Sequence, residues 1–330
     1  MTKNALITGI GGQTGSYLAE LLLEKDYNVW GTVKRNSVPE NQGNRISHLF
    51  DKVHLEYADL TDMPSLVKIV QQSQPDEIYN LAAQSHVRIS FDQPIYTSQV
   101  VALGVLNLLE VIRLIKPDAK LYQASSSEMF GNSIDSDGFQ RETTPMMPVS
   151  PYGCSKLFAH HIVRNYRHSY NLFASCGILF NHESPRRGSN FVTSKVVKGA
   201  VEIKKGLRKK MGLGNLEASR DWSHAKDASR AIWQIMQHSE PDDFVCASGV
   251  THTVRDLCEY VFSKLDLDYR EHIFTEQRHL RPEELNILKG DCTKLKNTLE
   301  WAPEYTFESM LDEMIEYWEN VYENHGDWRQ

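Results

Sequence analysis

Three glycines in the order GxxGxxG, Gly9, Gly12 and Gly15, follow the apolar run ALIT and lead into SYLAELLLEKD, whose apolar spacing is that of a helix. A strand that turns through glycines into a helix constrains the fold of such a chain more than any other feature it has. The glycines let backbone approach a pyrophosphate closely, and the helix N-terminus offers free N–H groups to it. A tight turn alone also needs glycine, so it is the flanking strand and helix that carry the dinucleotide-binding reading. Gln13 lies inside the turn and is counted with the glycines as a cofactor contact.

The alternation continues. Strands are predicted over 4–9, 27–33, 52–60, 77–83, 120–126 and 172–181, with helices over 16–26, about 64–72 and about 96–115. Strands and helices alternating at this spacing predict an α/β fold, a Rossmann-type doubly wound parallel sheet. Past residue 181 the pattern loosens. We therefore expect a dinucleotide-binding domain over 1–181, to which some later segments return, and a smaller C-terminal substrate-binding lobe over 182–330.

At 330 residues the chain is long enough for such a pair. A formal charge of −7 argues against broad nucleic-acid binding. The five cysteines are scattered and form no CxxC pair, so neither a disulfide framework nor a zinc site is implied, and a reducing compartment fits. His86 and the pair His160–His161 lack metal-ligand spacing, and no metal is assigned. The N-terminus carries no signal pattern, and no apolar run approaches membrane-spanning length. The expectation is a cytoplasmic protein without a membrane or nucleic-acid partner.

The second strand ends in VKRNS, where an NAD-binding chain usually places an acid for the ribose hydroxyls. Lys34 and Arg35 suit a 2′-phosphate instead, which favours NADP, although two solvated surface cations would read the same way. Asp59 and Leu60 close the third strand, where an adenine would lie. The small residues of LAAQS leave room beside the fourth strand, so Leu81, Ala82, Ala83, Gln84 and Ser85 are further cofactor candidates.

Tyr152 and Lys156 are spaced i, i+4 and share one helix face. The lysine is expected to lower the phenol pKa and to hold a cofactor ribose, leaving the tyrosine to act as a base toward a sugar hydroxyl. Upstream, QASSSEMFG ends a strand with Ser126 and Glu128 two residues apart, able to face one side. A glutamate at a strand's C-terminal end points into the ligand crevice and can take a proton next to a carbonyl. Ser and Glu here also suit a helix start.

TGIGGQTGSYLAE, YNLAAQSHV, QASSSEMFG, SPYGCSK, FNHESPRRGSNFVTSK, LGNLEASRDWSHAKD, RPEE and GDCTK together cover almost the whole chain. On these residues the sequence resembles the extended short-chain dehydrogenase/reductase family and, within it, the GDP-mannose 4,6-dehydratases. The resemblance implies catalytic Ser126, Glu128, Tyr152 and Lys156, an NADP cofactor and GDP-mannose as substrate. It adds Asn36, Ser37, Tyr96, His182 and Arg187 as cofactor contacts. Ser85, Glu128, Tyr152, Asn181, Lys195, Leu213, Asn215, Arg220, Arg281 and Glu284 are the implied substrate contacts. It further implies a homo-oligomer, a dimer or a tetramer built from dimers, with the loop 36–46 reaching a neighbouring subunit. Three departures stand out: Ser126 replaces the family's usual threonine, Ser194 replaces the arginine before Lys195, and the stretch 265–280 is shorter than usual. A reductase or epimerase of a related nucleotide sugar would share NADP, Tyr152 and Lys156 without needing Glu128. A non-catalytic NADP sensor would need none of the acid–base set.

Overall fold

The computed structural model describes residues 2–35, 43–276, 283 and 285–324. Its first half runs β1 (Asn4–Thr8), α1 (Gln13–Glu24), β2 (Asn28–Val33), β3 (His54–Tyr57), α2 (Met63–Ser73), β4 (Glu77–Asn80), α3 (Val87–Asp92), α4 (Pro94–Ser98), α5 (Gly104–Ile115), β5 (Lys120–Ser126), α6 (Pro151–Tyr170) and β6 (Ala174–Leu179). Then follow β7 (Asn181–Glu183), α7 (Val192–Lys204), β8 (Met211–Leu213), β9 (Ser219–His224), α8 (Ala225–Gln237), β10 (Asp243–Cys246), β11 (Thr251–Thr253) and α9 (Val254–Lys264). The chain closes with α10 (Tyr269–His272), β12 (Ile273–Thr275), β13 (Ile287–Leu288), α11 (Thr293–Leu299) and α12 (Phe307–Asn324).

Seven strands form one sheet in the order β10-β6-β5-β4-β1-β2-β3. Every pairing in it is parallel. Both faces are covered, as a parallel sheet requires. Leu18 and Leu22 of α1 pack with Ile232 and Ile235 of α8 on one face. On the other lie Leu66 and Val70 of α2, Val105, Leu109 and Ile112 of α5, and Val163 of α6. The strand order reverses between β1 and β4, the switch point at which an open α/β sheet has its ligand crevice.

Strand β10 and helix α8 come from the second half of the chain yet belong to the main sheet's layers. The rest of that half packs around Val196 and Val197 of α7, Leu257 and Val261 of α9, and Met310, Leu311 and Met314 of α12. A small sheet, β11-β9-β13 with β7 on β9, links this lobe to the crevice. The helical stretch Pro94–Ile115, continuous through a π turn at Gln99–Leu103, is long and apolar enough by composition to cross a membrane. Half of its apolar window is buried against the protein, as in a core helix.

Candidate active site

One cleft of about 720 Å³ runs along the C-terminal ends of β1, β2, β4 and β5 and beneath the second lobe. At its floor β1 turns through Gly9, whose φ of +73° suits glycine and which a Cβ would press to 3.0 Å from the Ala82 backbone. A Cβ on Gly15 would lie 2.5 Å from the Gly9 carbonyl oxygen, so glycine there lets α1 start against the turn. Gly12 caps α1 with no side-chain hydrogen bond, leaving the N–H groups of the first turn to face the cleft. Gln13 is held on the other side of the turn, donating from Nε2 to the His182 carbonyl and accepting from Ser184 Oγ.

A buried polar relay fixes the strand ends at the switch point. Thr8 Oγ1 donates to Asn80 Oδ1 at 2.6 Å, and Asn80 Nδ2 donates to Gln123 Oε1 at 2.7 Å. Leu81, Ala82, Ala83 and Ser85 line the cleft beyond β4. Gln84 does not; its amide bonds the His86 backbone and Thr97 Oγ1, stapling the loop to α4. Leu60 lines the cleft with Asp59, and Lys34 sits 3.1 Å from the Asp59 carboxylate while donating to Tyr96 OH at 2.8 Å. Those two partners raise the Lys34 pKa. Arg35 is exposed and lies over the Tyr57 ring, outside the cleft. Asn36 and Ser37 lie outside the described residues.

The residues expected to form an acid–base set come from β5, the turn after it and α6. Ser126 ends β5 with extended backbone, φ −148°, and caps the short 3-10 turn Ser127–Met129 by accepting the Glu128 N–H at 3.2 Å. Glu128 is buried at the cleft wall. Helix α6 begins with Ser150 accepting the Gly153 N–H, Pro151 in the first turn, and the Tyr152 N–H donated to Ser90 Oγ. A Cβ on Gly153 would stand 2.7 Å from the Glu128 carbonyl oxygen. Glycine at 153 is therefore what lets helix α6 lie against the turn that carries Glu128.

Lys156 Nζ donates to the Ala124 carbonyl at 2.7 Å and lies 5.8 Å from the centre of the Tyr152 ring. The phenol does not have the lowered pKa expected from its spacing to the lysine. Burial pushes it up to about 12, opposed by its hydrogen bond to Ser126. Burial also brings Lys156 down to about 8, so the lysine holds its charge only weakly.

Strands β7, β8 and β9, helix α7 and the turns beside them carry the remaining candidates. Strand β7 pairs with β9, setting Asn181 opposite Trp222 and His182 opposite Ser223. The His182 ring lies between Thr14 Oγ1, 2.7 Å from Nε2, and the Phe180 carbonyl, 3.0 Å from Nδ1, and burial takes its pKa down to about 4. Arg187 Nε is 2.9 Å from Glu183 Oε2, with its guanidinium over the Phe191 ring. Arg220 donates to the Ser219 and Leu285 carbonyls, and Lys195 donates to the Gly212 carbonyl. Asn181, Lys195, Leu213, Asn215 and Arg220 all line the same cleft. Arg281 and Glu284 lie outside the described residues.

Several cleft residues are not among the candidates read from the sequence: Thr14, Arg45, Arg88, Asn190 and Phe191. Thr14 was within reach of a motif reading, since it follows Gln13 in the glycine turn. Away from the cleft, His160, Cys176 and Asp243 bring three possible ligand atoms within 4.8 Å. Arg167 already holds the Asp243 carboxylate at 2.5 Å, and Ser125 holds the His160 ring, so two of the three groups already have protein partners.

The chain matches the family model described as GDP-mannose 4,6 dehydratase over residues 6–314. It is 48% identical to GDP-mannose 4,6 dehydratase 2 of Arabidopsis thaliana over 326 residues, covering 95% of this chain and 86% of that one. It is 46% identical to the GDP-mannose 4,6 dehydratase of Homo sapiens over 338 residues, covering 94% and 90%. Among solved structures it shares its fold with dTDP-glucose 4,6-dehydratase of Bacillus anthracis in complex with NAD, at a TM-score of 0.85, 24% identity and 98% coverage of both chains.

Proposed function

The chain belongs to the GDP-mannose 4,6-dehydratase family, and on that premise we propose that it converts GDP-mannose to GDP-4-keto-6-deoxy-mannose with Ser126, Glu128, Tyr152 and Lys156 as its acid–base set. One observation carries the assignment of roles: a buried glutamate shares the cleft wall with the tyrosine, and one serine hydroxyl bonds to both. A reductase or epimerase has no use for that carboxylate.

A nicotinamide dinucleotide fits the residues present. The glycine turn keeps its tight path only because Gly9 and Gly15 lack a Cβ, and the uncapped start of α1 presents N–H donors suited to a pyrophosphate. Lys34 and Tyr96 stand at the adenosine end of the cleft, and Lys156 at its reactive end. NADP, rather than NAD, is the reading that the cations at the end of β2 support. When bound there, such a group would supply a hydride acceptor for carbon 4 of the mannose and a hydride donor for carbon 6, with no net consumption of cofactor.

The side chains handle the protons. Tyr152, as the phenolate, takes the proton of the 4-hydroxyl as general base, and Ser126, by donating to that phenolate, favours the ionised form. Below a pH of about 8 Lys156 is charged and can donate to hydroxyls placed beside it. The ketone at carbon 4 acidifies the proton on carbon 5, and Glu128 removes it. Water leaves carbon 6 with a proton supplied by the Ser126/Glu128 pair. A proton returned to carbon 5 completes the product. Asn181, Lys195, Leu213, Asn215 and Arg220 form the wall against which the GDP moiety would lie, with cations suited to its diphosphate. Turnover of GDP-mannose with loss of water tests the reading.

A homo-oligomer is supported by Ile95, Leu103, Leu114 and Phe158, large apolar side chains exposed along the helical stretch Pro94–Ile115 and on α6. Five free cysteines, four of them buried, support a reducing compartment such as the cytoplasm.

A further inference from the structure

We propose that Gln123 is a positioning residue for Lys156, acting at the end of a buried hydrogen-bond chain that begins at Thr8 and runs through Asn80. The inference rests on the role given to Lys156 above and adds to it a residue buried behind the cleft wall.

The sheet leaves a gap in its ladder beside the lysine. Along β5 the backbone groups alternate sides. The Lys120 N–H donates to the Asp76 carbonyl on the β4 side, and the Leu121 N–H donates to the Phe173 carbonyl on the β6 side. By that two-residue step the Ala124 carbonyl faces β4. Yet the β4–β5 register ends at Asn80 opposite Gln123. The Ala82 N–H, next in the step on the β4 side, turns away and donates to Thr8 Oγ1 at 3.3 Å.

Side chains close the gap. Thr8 donates to Asn80, Asn80 donates to Gln123, and Gln123 Nε2 donates to the Ala124 carbonyl at 2.9 Å. The direction of every link is fixed from its ends. Thr8 Oγ1 accepts the backbone N–H groups of Leu81 and Ala82, so its one proton goes to Asn80 Oδ1. At the other end a backbone carbonyl can only accept. Neither amide can turn over without losing a bond, and Thr8, Asn80 and Gln123 are all buried away from water that could replace it.

Lys156 Nζ donates to that same Ala124 carbonyl at 2.7 Å. A carbonyl oxygen has two lone pairs, of which the Gln123 amide takes one and confines the ammonium to the other. The chain therefore presents an N–H, and not an oxygen, beside the lysine. Nothing in it draws the ammonium back into the sheet, and its two remaining protons are left for groups in the cleft that Lys156 lines. Burial already loosens the lysine's hold on its charge, so a changed neighbour at this carbonyl should show in its titration.

The test uses the full-length protein and its Gln123→Glu, Gln123→Met and Asn80→Leu variants. The Lys156 titration midpoint is read by NMR of isotope-labelled lysine side chains in the nucleotide-free protein, assigned by the signal lost in Lys156→Met. Gln123→Glu keeps the bond from Asn80 but sets a carboxylate oxygen beside the ammonium. It should raise the Lys156 midpoint by about 1–3 pH units and lower kcat about 10- to 100-fold. Gln123→Met should lower kcat about 3- to 10-fold at an unchanged KM. Combined with Asn80→Leu it should lose no more than the worse single variant, because the chain acts as one unit. A Lys156 midpoint unmoved in Gln123→Glu, or single losses that multiply in the double variant, overturns the assignment and leaves Gln123 a packing residue. The titration is read without substrate, so it is independent of the reaction. A wild type that does not dehydrate GDP-mannose, with the midpoint still raised in Gln123→Glu, refutes the dehydratase reading and upholds the positioning.

Discussion

Ser126 Oγ accepts the backbone N–H of Glu128 at 3.2 Å, so the residue that ends the fifth strand also sets where the carboxylate begins. The same hydroxyl bonds the Tyr152 side chain and pulls its pKa down against burial. One oxygen therefore touches both the proposed acid and the proposed base.

Ser126→Ala removes both contacts. We expect kcat to fall about 10- to 100-fold and the limb of the pH–rate profile that reports Tyr152 ionisation to move to higher pH, because the hydrogen bond that lowers its pKa is gone. Ser126→Thr keeps the hydroxyl and should restore both the rate and the limb. A pH profile of kcat for the three proteins checks this. An alanine variant with reduced rate but an unmoved limb would leave Ser126 only its structural cap.

Glu128→Gln keeps the shape of the side chain and removes the base. Oxidation at carbon 4 should still occur, so reduced nicotinamide absorbance forms and persists, while elimination slows by about 10²- to 10⁴-fold. Nucleotide affinity should stay within about twofold of wild type. Stopped-flow absorbance on a single turnover separates the two steps, and normal elimination in the variant would remove Glu128 from its role.

Lys156 costs the folded protein stability. Its folded pKa of about 8 lies below the usual 10.5, so at pH 7 the buried site holds a charge it disfavours. That cost is present in full below pH 8 and fades as pH rises to about 10.5. Lys156→Met should stabilise the nucleotide-free protein by roughly 2–3 kcal/mol at pH 7 and by much less at pH 10, while abolishing turnover. The Ala124 carbonyl is not orphaned by the change, since Gln123 Nε2 also donates to it at 2.9 Å. Urea unfolding at the two pH values reads the difference.

Two buried histidines make the fold sensitive to acid. Burial holds His160 and His182 near pKa 4, against 6.5 for an exposed ring. Both are depressed, so their contribution is present above pH 6.5 and is lost as pH falls toward 4, with a slope of up to about 1.4 kcal/mol per pH unit for each. Asp221, raised by burial to about 6, works in the opposite direction. The difference between wild type and His160→Gln isolates one histidine. The variant's stability should fall less steeply between pH 6.5 and 4; parallel curves would exclude His160.

Local spacing made part of this molecule legible. The turn at Gly9–Gly15 and the pair Tyr152–Lys156 are each set within one or two elements, and a strand or helix period places them. Strand β10 was not legible, because DFVC is four buried residues that pair with β6 from over sixty positions away. Lys34 reads as a free cation until the fold brings Asp59 to it. Gly153 looks like any helical glycine, and only the approach of the Glu128 carbonyl explains it. The pKa of Tyr152 was misjudged for a related reason: spacing shows the lysine, whereas burial, a property of the assembled cleft, sets the larger shift.

Incubation with GDP-mannose in deuterated water, followed by NMR and mass spectrometry of the sugar, tests the central claim most directly. The dehydratase reading predicts a 4-keto-6-deoxy product that has lost one water and gained deuterium at carbon 5, with no net change in the nicotinamide cofactor. A sugar that loses no water, or NADPH consumed in step with product, would contradict it.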